Sequence, residues 1–417
     1  MGPDFHQRYN RASTFLWDES RGRRCEGSCA DLYHSRLSGS ATEIWCNRLV
    51  RLYRDGLLVK VELLLGADAF WARLREDLDR ARRRAWLQTF TFEGDRAGIR
   101  LGRAIEGCLA LDRRFLVDSY SLLYHSDRII PGTAWLDRAM RVEVSLTHRW
   151  IRRLRSVGVQ VRFGNPIGPM LTGILRRNHK KLALFDDRIA YLGGINFSDH
   201  NFAWNDMMLR IESEQLVRTL ALDFLSTWAG RSTTWDVDIN GLRVISVSGR
   251  GNRRAFKPLI RAIGAARSTV DVVSAYLSYP FTNYLADASS RGVRVRVLTP
   301  AENNKPNLSR HIIERGHRHK FEVFQYKGGM NHMKAMLIDG ENLVVGSSNF
   351  DFMGITLLEE HLVMTRKRDL VEDFIERVWE PEISRATATS PESSVATRLG
   401  DAAVMAGAFL ASLLERN

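Results

Sequence analysis

The chain repeats itself, and that repetition limits what it can fold into more than any other feature. The first copy opens with AFWARLREDLDRARRRAWLQTFTF (69–92), whose apolar positions recur at a helical period before giving way to a β-rich run. The second opens with AFKPLIRAIGAARSTVDVVSAYL (255–277), with the same order of elements and an Ala-Arg pair near the helix end. Short strands follow, RRFLVDSYS (113–121) in one copy and GVRVRVLTP (292–300) in the other, each after a helical stretch. Each copy then reaches a hairpin, HKKLALFDDRIAYLGGIN (179–196) or HMKAMLIDGENLVVGSSN (332–349). Each closes with a helix carrying an aromatic pair, LALDFLSTWAG (220–230) or LVEDFIERVWE (370–380). Four matched elements in one order mean a supersecondary unit used twice. Helix–strand alternation makes the fold α/β, with βαβ units and a mostly parallel or mixed β-sheet flanked by helices. The first copy has about 32 more residues between its helix and its hairpin, and this surplus is expected around 118–150, as a loop or helical insertion over the site.

The hairpins hold the residues with chemistry. Alternation along a strand puts His179 and Lys181 on one face, and likewise His332 and Lys334. By the same rule Lys180 points the other way and reads as expendable. On the return strands, Gly193 and Gly194 precede Asn196, and Gly346, Ser347 and Ser348 precede Asn349. Residues without bulk let a phosphate come close, and the Asn amides can donate to it. An acid recurs further on: Asp206 is 27 residues after His179, and Glu360 is 28 after His332. Asp186 and Asp339 end the first strand of each hairpin, where they suit holding the turn and a basic neighbour. The chain has only nine lysines against 52 arginines, so two His-Lys pairs at matched places in a repeat are not a by-product of basic composition.

This doubled H-x-K-x4-D, each followed by G-x-x-N, resembles the phospholipase D superfamily. Within it, RRNHKKLALFDDRIAYLGGINFSDH with WNDMMLRIES (204–213) is similar to the first motif of bacterial cardiolipin synthases. HMKAMLIDGENLVVGSSNFD with Glu360 is similar to the second, and LQTFTFEGDRAG (87–98) to the segment after their first helix. The resemblance covers about residues 60 to 385 and implies two tandem phospholipase D-like repeats, placed at 43–240 and 241–385, packed with pseudo-two-fold symmetry around one shared active site. It implies His179 as a nucleophile forming a covalent phosphohistidine and His332 as general acid and base. Lys181, Lys334, Asn196 and Asn349 would stabilise the five-coordinate phosphorus, while Asp206 and Glu360 set the protonation of the imidazoles. Gly194 and Ser347 join the residues that bind phosphate or orient the others, and Asp186 and Asp339 are counted in the catalytic set as motif members. No cofactor and no metal is implied. The implied reaction makes cardiolipin from two phosphatidylglycerol molecules with release of glycerol. Hydrolysis of phospholipid to phosphatidic acid, or a nuclease or phosphodiesterase of the same superfamily, is the alternative. Three features depart from the pattern. The paired N-terminal membrane helices are missing, DSYS (118–121) stands where a glycine-containing turn is common, and Phe352, Met353 and Gly354 replace an Arg-Ser-like pair.

A net charge of +13 and a pI near 9.9 favour an anionic partner. A phospholipid surface is expected, and a nucleic acid is the alternative. With neither a signal peptide nor a run of 18 apolar residues, the expected place is cytoplasmic, peripheral on the inner membrane. The four cysteines lie early, and Cys25, Cys29, His34 and Cys46 lack a familiar zinc spacing. Residues 1–42 read as a polar leader, and 386–417 as a linker with a short apolar tail, AAVMAGAFLASLL (402–414), which either packs on the domain or lies in a membrane interface. His200 and His361 are expected on loop or strand surfaces, RHIIERGHRHK (310–320) as a solvated helix and turn near the site entrance, and Trp228 and Trp379 in the core.

Overall fold

Seven strands of one sheet have counterparts, in the same order, in a second. The computed structural model describes residues 59–415 apart from 126–127, 130–135, 169–172 and 390–392. The leader at 1–42 and the Cys25, Cys29, His34, Cys46 group lie outside the described residues. The first half contains β1 (Lys60–Leu65), β2 (Arg84–Thr89), β3 (Asp112–Asp118), the small hairpin β4 (Tyr124–His125) and β5 (Arg128–Ile129), β6 (Gln160–Gly164), β7 (Leu182–Phe185), β8 (Ile189–Gly193) and β9 (Met207–Glu212). The second contains β10 (Trp235–Ile239), β11 (Leu242–Ser248), β12 (Thr269–Ser274), β13 (Arg294–Pro300), β14 (Glu322–Tyr326), β15 (Lys334–Ile338), β16 (Asn342–Gly346), β17 (Glu359–Thr365) and β18 (Thr387–Ala388). Sheet order is β1-β9-β8-β7-β2-β3-β6 in one and β10-β11-β17-β16-β15-β12-β13-β14-β18 in the other. In each, three strands run parallel where helices connect them, β2-β3-β6 and β12-β13-β14. The motif hairpins and their neighbours pair antiparallel, so both sheets are mixed.

The helices are α1 (Gly66–Arg80), α2 (Arg96–Gly107), α3 (Arg138–Ser156), α4 (Glu214–Trp228), α5 (Lys257–Gly264), α6 (Phe281–Ser290), α7 (Pro306–His319), α8 (Arg368–Phe374) and α9 (Val395–Glu415). Aspartate caps start two of them: Asp95 accepts from the Gly98 N–H, and Asp137 from those of Ala139 and Met140. Strand alternation divides the apolar residues between three cores. In β7, Leu182 and Leu184 face a central core, where they meet Ala335 and Leu337 of β15 together with Leu220, Phe224 and Phe374 from α4 and α8. Ala183 and Phe185 turn outward to Phe70, Leu74 and Ile105 of α1 and α2, and Met336 and Ile338 to Leu259, Leu285 and Ile312 of α5, α6 and α7. Trp379 is buried in the central core and Trp228 packs half-buried against it.

Some boundaries differ from the sequence reading. The β10 strand, read with the first half, pairs with β11 at the edge of the second sheet. Within the stretch read as a linker, β18 adds to the edge of β14 and α9 begins at Val395. The surplus in the first half is split. One part, the turn at Ser119–Leu122 with β4 and β5, precedes α3, and the other joins β6 to β7.

Asp186 and Asp339 lie at the far end of the motif strands from the histidines. Both take left-handed backbone conformations, φ 51° and 54°. Asp186 accepts from the N–H groups of Arg82, Arg83 and Arg84 at 3.1, 2.7 and 3.0 Å. Asp339 does the same for Arg267, Ser268 and Thr269 at 3.1, 2.8 and 3.1 Å. Each therefore staples its hairpin turn to the turn that enters the neighbouring strand, and counting them with the catalytic set is corrected here. Charge-assisted bonds of this kind are worth about 1.5–3 kcal/mol. Asp186→Ala or Asp339→Ala is thus expected to lower stability by about 2–3 kcal/mol in thermal melts, with kcat of the folded fraction unchanged.

Candidate active site

The halves meet by exchanging short backbone bridges, and these decide which acid meets which histidine. Asn178 bridges to Glu359, with the His179 N–H donating to the Glu359 carbonyl and the Glu359 N–H to Arg177, both at 2.9 Å. Asn331 bridges to Asn205 in the same way: the His332 N–H donates to Asn205 at 2.7 Å and the Asn205 N–H to Met330 at 2.9 Å. The next residues along the chain are Glu360 and Asp206. Glu360 Oε1 consequently lies 2.8 Å from His179 Nδ1, and Asp206 Oδ2 2.7 Å from His332 Nδ1. Each acid orients the histidine of the other repeat, a pairing that spacing within one repeat does not reveal.

The small residues serve these acids. A Cβ at Gly194 would collide with the Asp206 carboxylate oxygens. Ser347 Oγ donates to Glu360 Oε2 and accepts the His361 N–H at 3.0 Å. Gly194 and Ser347 thus seat carboxylates, where the sequence had suggested room for phosphate.

Lys181 Nζ donates to the His179 carbonyl at 2.8 Å. Lys334 Nζ donates to the His332 carbonyl and lies 2.7 Å from His332 Nδ1, 3.1 Å from Nε2 and 3.5 Å from Asp206 Oδ2. His179, His332, Asn196 and Asn349 all line one cavity of about 400 Å³. Rings frame the imidazoles: Phe90 stands edge-on to His179 at 5.0 Å, Tyr276 edge-on to His332 at 5.5 Å, and Trp204 tilted against His332 at 4.9 Å. Tyr120 and Tyr124 from the first insertion, and Ile174 and Leu175 from the second, complete one wall. Phe90, Tyr120 and Trp204 lie in segments that the resemblance marks, but none of these residues was singled out as lining the site, since an aromatic in a loop looks the same whether it faces a cavity or a core. Asp118 of DSYS pairs with buried Arg177 at 3.0 Å and accepts the Asn178 N–H at 2.6 Å, which fixes the backbone entering His179.

Four expectations for residues near the motifs are corrected. Lys180 is fully buried in an ion pair with Asp223, 2.9 and 3.0 Å to its two oxygens. His361 is also fully buried and lies 3.0 Å from Asp223 Oδ2. His200 is half-buried in the cavity wall, 3.6 Å from Glu93. In α7, His311 and Arg315 are buried against Asp401 of α9, so one side of the basic run is covered, while Arg310, His317, Arg318 and Lys320 are exposed as expected.

Burial dominates the electrostatics. It pushes His179 below its ordinary value despite Glu360, and with Lys334 beside it holds His332 at about 3. Burial and neighbouring Lys334 bring Lys181 down to about 7, and burial also lowers Lys334. Burial pushes Asp206 and Glu360 upward, but Lys334 and His332 at one, and His179 and Lys181 at the other, outweigh it and keep both below the usual carboxylate range. At neutral pH both imidazoles are therefore neutral and both acids ionised. With a carboxylate against Nδ1 in each couple, the tautomer that carries its proton on Nδ1 leaves Nε2 as the basic nitrogen. Four basic groups crowd a buried space and suppress one another's charge, and an anion placed among them raises all four. The arrangement can attack an anionic phosphorus centre with one imidazole and protonate a leaving oxygen with the other. Among the described residues, no three His, Cys, Asp or Glu side chains are grouped to hold a metal ion.

A family model for "cardiolipin synthase, PLD-like domain" matches residues 74–228 and 259–380. The chain belongs to the phospholipase D superfamily. A cardiolipin synthase of Listeria monocytogenes is 24% identical over 385 residues, covering 82% of this chain and 73% of that protein. The Bacillus subtilis protein YwiE, a probable cardiolipin synthase by name, is 25% identical over 277 residues, 60% of this chain and 54% of its own, so the match spans about half of that relative. Among solved structures, phosphatidylserine synthase of Haemophilus influenzae Rd KW20 shares the fold with a TM-score of 0.62 at 12% identity, over 82% of this chain and 91% of that one. Membership of the superfamily gives this chain the general phospholipase D chemistry, transfer or hydrolysis at a phosphate ester, and the chain is an enzyme of that class.

Proposed function

We propose that this enzyme transfers a phosphatidyl group between phosphatidylglycerol molecules, forming cardiolipin and releasing glycerol. The observation that carries the reading is the composition of the cavity. Beside two imidazoles and two asparagines, ten lining residues are aromatic or aliphatic, Phe90, Tyr120, Ile174, Leu175, Leu308 and Met353 among them, and of the other eight only Arg177 and Lys305 carry a fixed positive charge. Such a wall suits the glycerol and acyl end of a lipid better than the repeated phosphates of a nucleic acid, for which a run of exposed cations is needed. In the proposed course, His179 Nε2 attacks the phosphodiester as His332 gives its proton to the departing glycerol oxygen. The hydroxyl of a second phosphatidylglycerol then yields its proton to His332 and displaces His179 from phosphorus. The phosphodiester itself supplies the charge that raises His332 enough to hold a proton. Lys181, Lys334, Asn196 and Asn349 meet the charge that builds on the phosphoryl oxygens. A peripheral association with a lipid surface accompanies the reading, and among the described residues no helix is long and apolar enough to cross a membrane.

The test is product analysis. Purified protein with phosphatidylglycerol vesicles should give cardiolipin and glycerol in equal amounts by mass spectrometry. Phosphatidic acid as the sole lipid product would replace transfer with hydrolysis, and shortening of a single-stranded oligonucleotide with lipid untouched would replace both.

A further inference from the structure

The last helix, α9, lies outside the residues matched by the family, and it exposes an uncharged stripe bordered by Arg398. One side of it is fastened to α7. Thr397 Oγ1 donates to Glu314 at 2.8 Å, Asp401 accepts from Arg315 Nε at 2.9 Å and lies 2.8 Å from His311 Nδ1, and Gly400 lets the helix approach Arg310 closely. On the opposite side Val395, Leu399, Ala402, Ala403 and Ala406 are exposed, Val395 at 74% and Leu399 at 66%. Steps of four, three, one and three trace a single stripe, and the sequence continues that period with Leu410, Leu413 and Leu414. Helix packing on the protein therefore uses Thr397, Gly400, Asp401 and Ala408, with Val404 and Met405 partly covered, and leaves an uncharged stripe headed by Val395 and Leu399 outward.

Two observations indicate what covers that side. The helix runs to the mouth of the catalytic cavity: Ala408 packs with Phe352 and Leu357, Met353 packs against the same cluster, and Met353 itself lines the cavity. The flanks are basic as well. Arg310 and Arg398 hydrogen-bond to Asn307 and Ser393, neither a carboxylate, and Lys305 at the start of α7 is exposed on the cavity rim. A second copy of this chain would bring the same arginines against one another on a protein of net charge +13, whereas an anionic lipid surface meets both the apolar stripe and its cationic borders.

We propose that α9 is a lipid-docking helix: its uncharged face enters the interface of an anionic membrane while Arg310 and Arg398 meet headgroups, so that the cavity mouth faces the lipid. This rests on the phospholipid reading of the site. The test uses the full chain and two readouts. Sedimentation with vesicles of phosphatidylcholine containing phosphatidylglycerol should recover the unaltered protein, and phosphatidylcholine alone should recover far less. Val395→Glu/Leu399→Glu should weaken binding to the anionic vesicles at least about tenfold. Turnover of a short-chain, monomeric phosphatidylglycerol should be unchanged, because both side chains point away from the protein. Equal vesicle binding by the double variant overturns the proposal, as does a change from dimer to monomer with vesicle binding retained, which would make this face a contact between copies. If the short-chain lipid gives no product with either protein, the reading of the site fails, and the comparison of vesicle binding still decides the docking.

Discussion

Alanine at His179 is expected to abolish turnover of phosphatidylglycerol, with a loss of at least about 10⁴-fold, since removal of a nucleophile leaves only binding and charge stabilisation. Alanine at His332 should cost a similar factor with that substrate, so the two single variants do not separate the roles. The leaving group does. A phosphatidyl ester of p-nitrophenol departs as a stabilised anion and needs no proton from the enzyme. With this donor, His332→Ala should release one equivalent of p-nitrophenol in a burst and keep the phosphatidyl group on His179, visible as added mass on the intact protein. His179→Ala should give neither burst nor adduct. The assignment follows from the neighbours of the two rings: Lys334 lies 2.7 Å from His332 Nδ1, 3.1 Å from Nε2 and 3.5 Å from Asp206, so a second group that exchanges protons stands against the His332 ring. Lys181, by comparison, bonds to the His179 carbonyl and leaves the His179 ring to Glu360 and Phe90. An adduct in His179→Ala with none in His332→Ala would exchange the two roles. Full activity in His179→Ala would remove this residue from the site.

The doubled plan was legible because both copies obey the same periodicities. Alternation alone sorted Leu182 and Leu184 from Ala183 and Phe185, and the strand orders of the two sheets agree over seven positions. The members of the site were legible for the same reason, since His179, His332, Asn196 and Asn349 were found by repetition and line one cavity. What could not be read were relations between the copies. Asp206 and Glu360 stand at nearly equal distances from their own histidines, so spacing suits a pairing within each repeat as well as the crossed one that the backbone bridges enforce. Coverage by distant chain was equally hidden. His311 and Arg315 lie in a run whose composition suits solvent, and only the arrival of Asp401, some 90 residues later, buries that side of it. Lys180 shows a subtler failure. The alternation rule placed its side chain correctly, away from Lys181, but that direction leads into the central core rather than to water.

Lys180→Met is accordingly expected to cost about 3–5 kcal/mol of stability at pH 8, the penalty of leaving a buried charge without its partner. Asp223 is the charge left behind. Its carboxylate accepts from Lys180 Nζ, Trp235 Nε1 at 3.0 Å and Ser246 Oγ at 3.1 Å, with His361 Nε2 at 3.0 Å. Burial pushes Asp223 up, but Lys180 and His361 outweigh it and hold the group far below the usual carboxylate range. That pairing contributes stability above the unfolded carboxyl value and loses it as pH falls through the folded one. Without Lys180, burial is opposed by His361 and by the Trp235 and Ser246 hydrogen bonds, so the folded value rises from where the pair held it and protonation relieves part of the deficit as pH falls. The deficit of Lys180→Met in urea melts should therefore be smaller at pH 4 than at pH 8. Lys180→Met/Asp223→Leu, which removes both charges together, should recover most of it, because buried pairs exchanged for apolar side chains are often neutral in energy. A melt of Lys180→Met equal to the unaltered protein at pH 8 would show that the pair holds nothing. The symmetry of the fold makes the site of this pair informative. Lys180 follows His179 and His361 follows Glu360, so the pair lies beneath one histidine–acid couple. Beneath the other, the matching positions are Met333 and Met207, both in the same apolar core. The two halves share a backbone plan and differ in what stands behind their histidines, which gives two chemically identical residues the means to act differently.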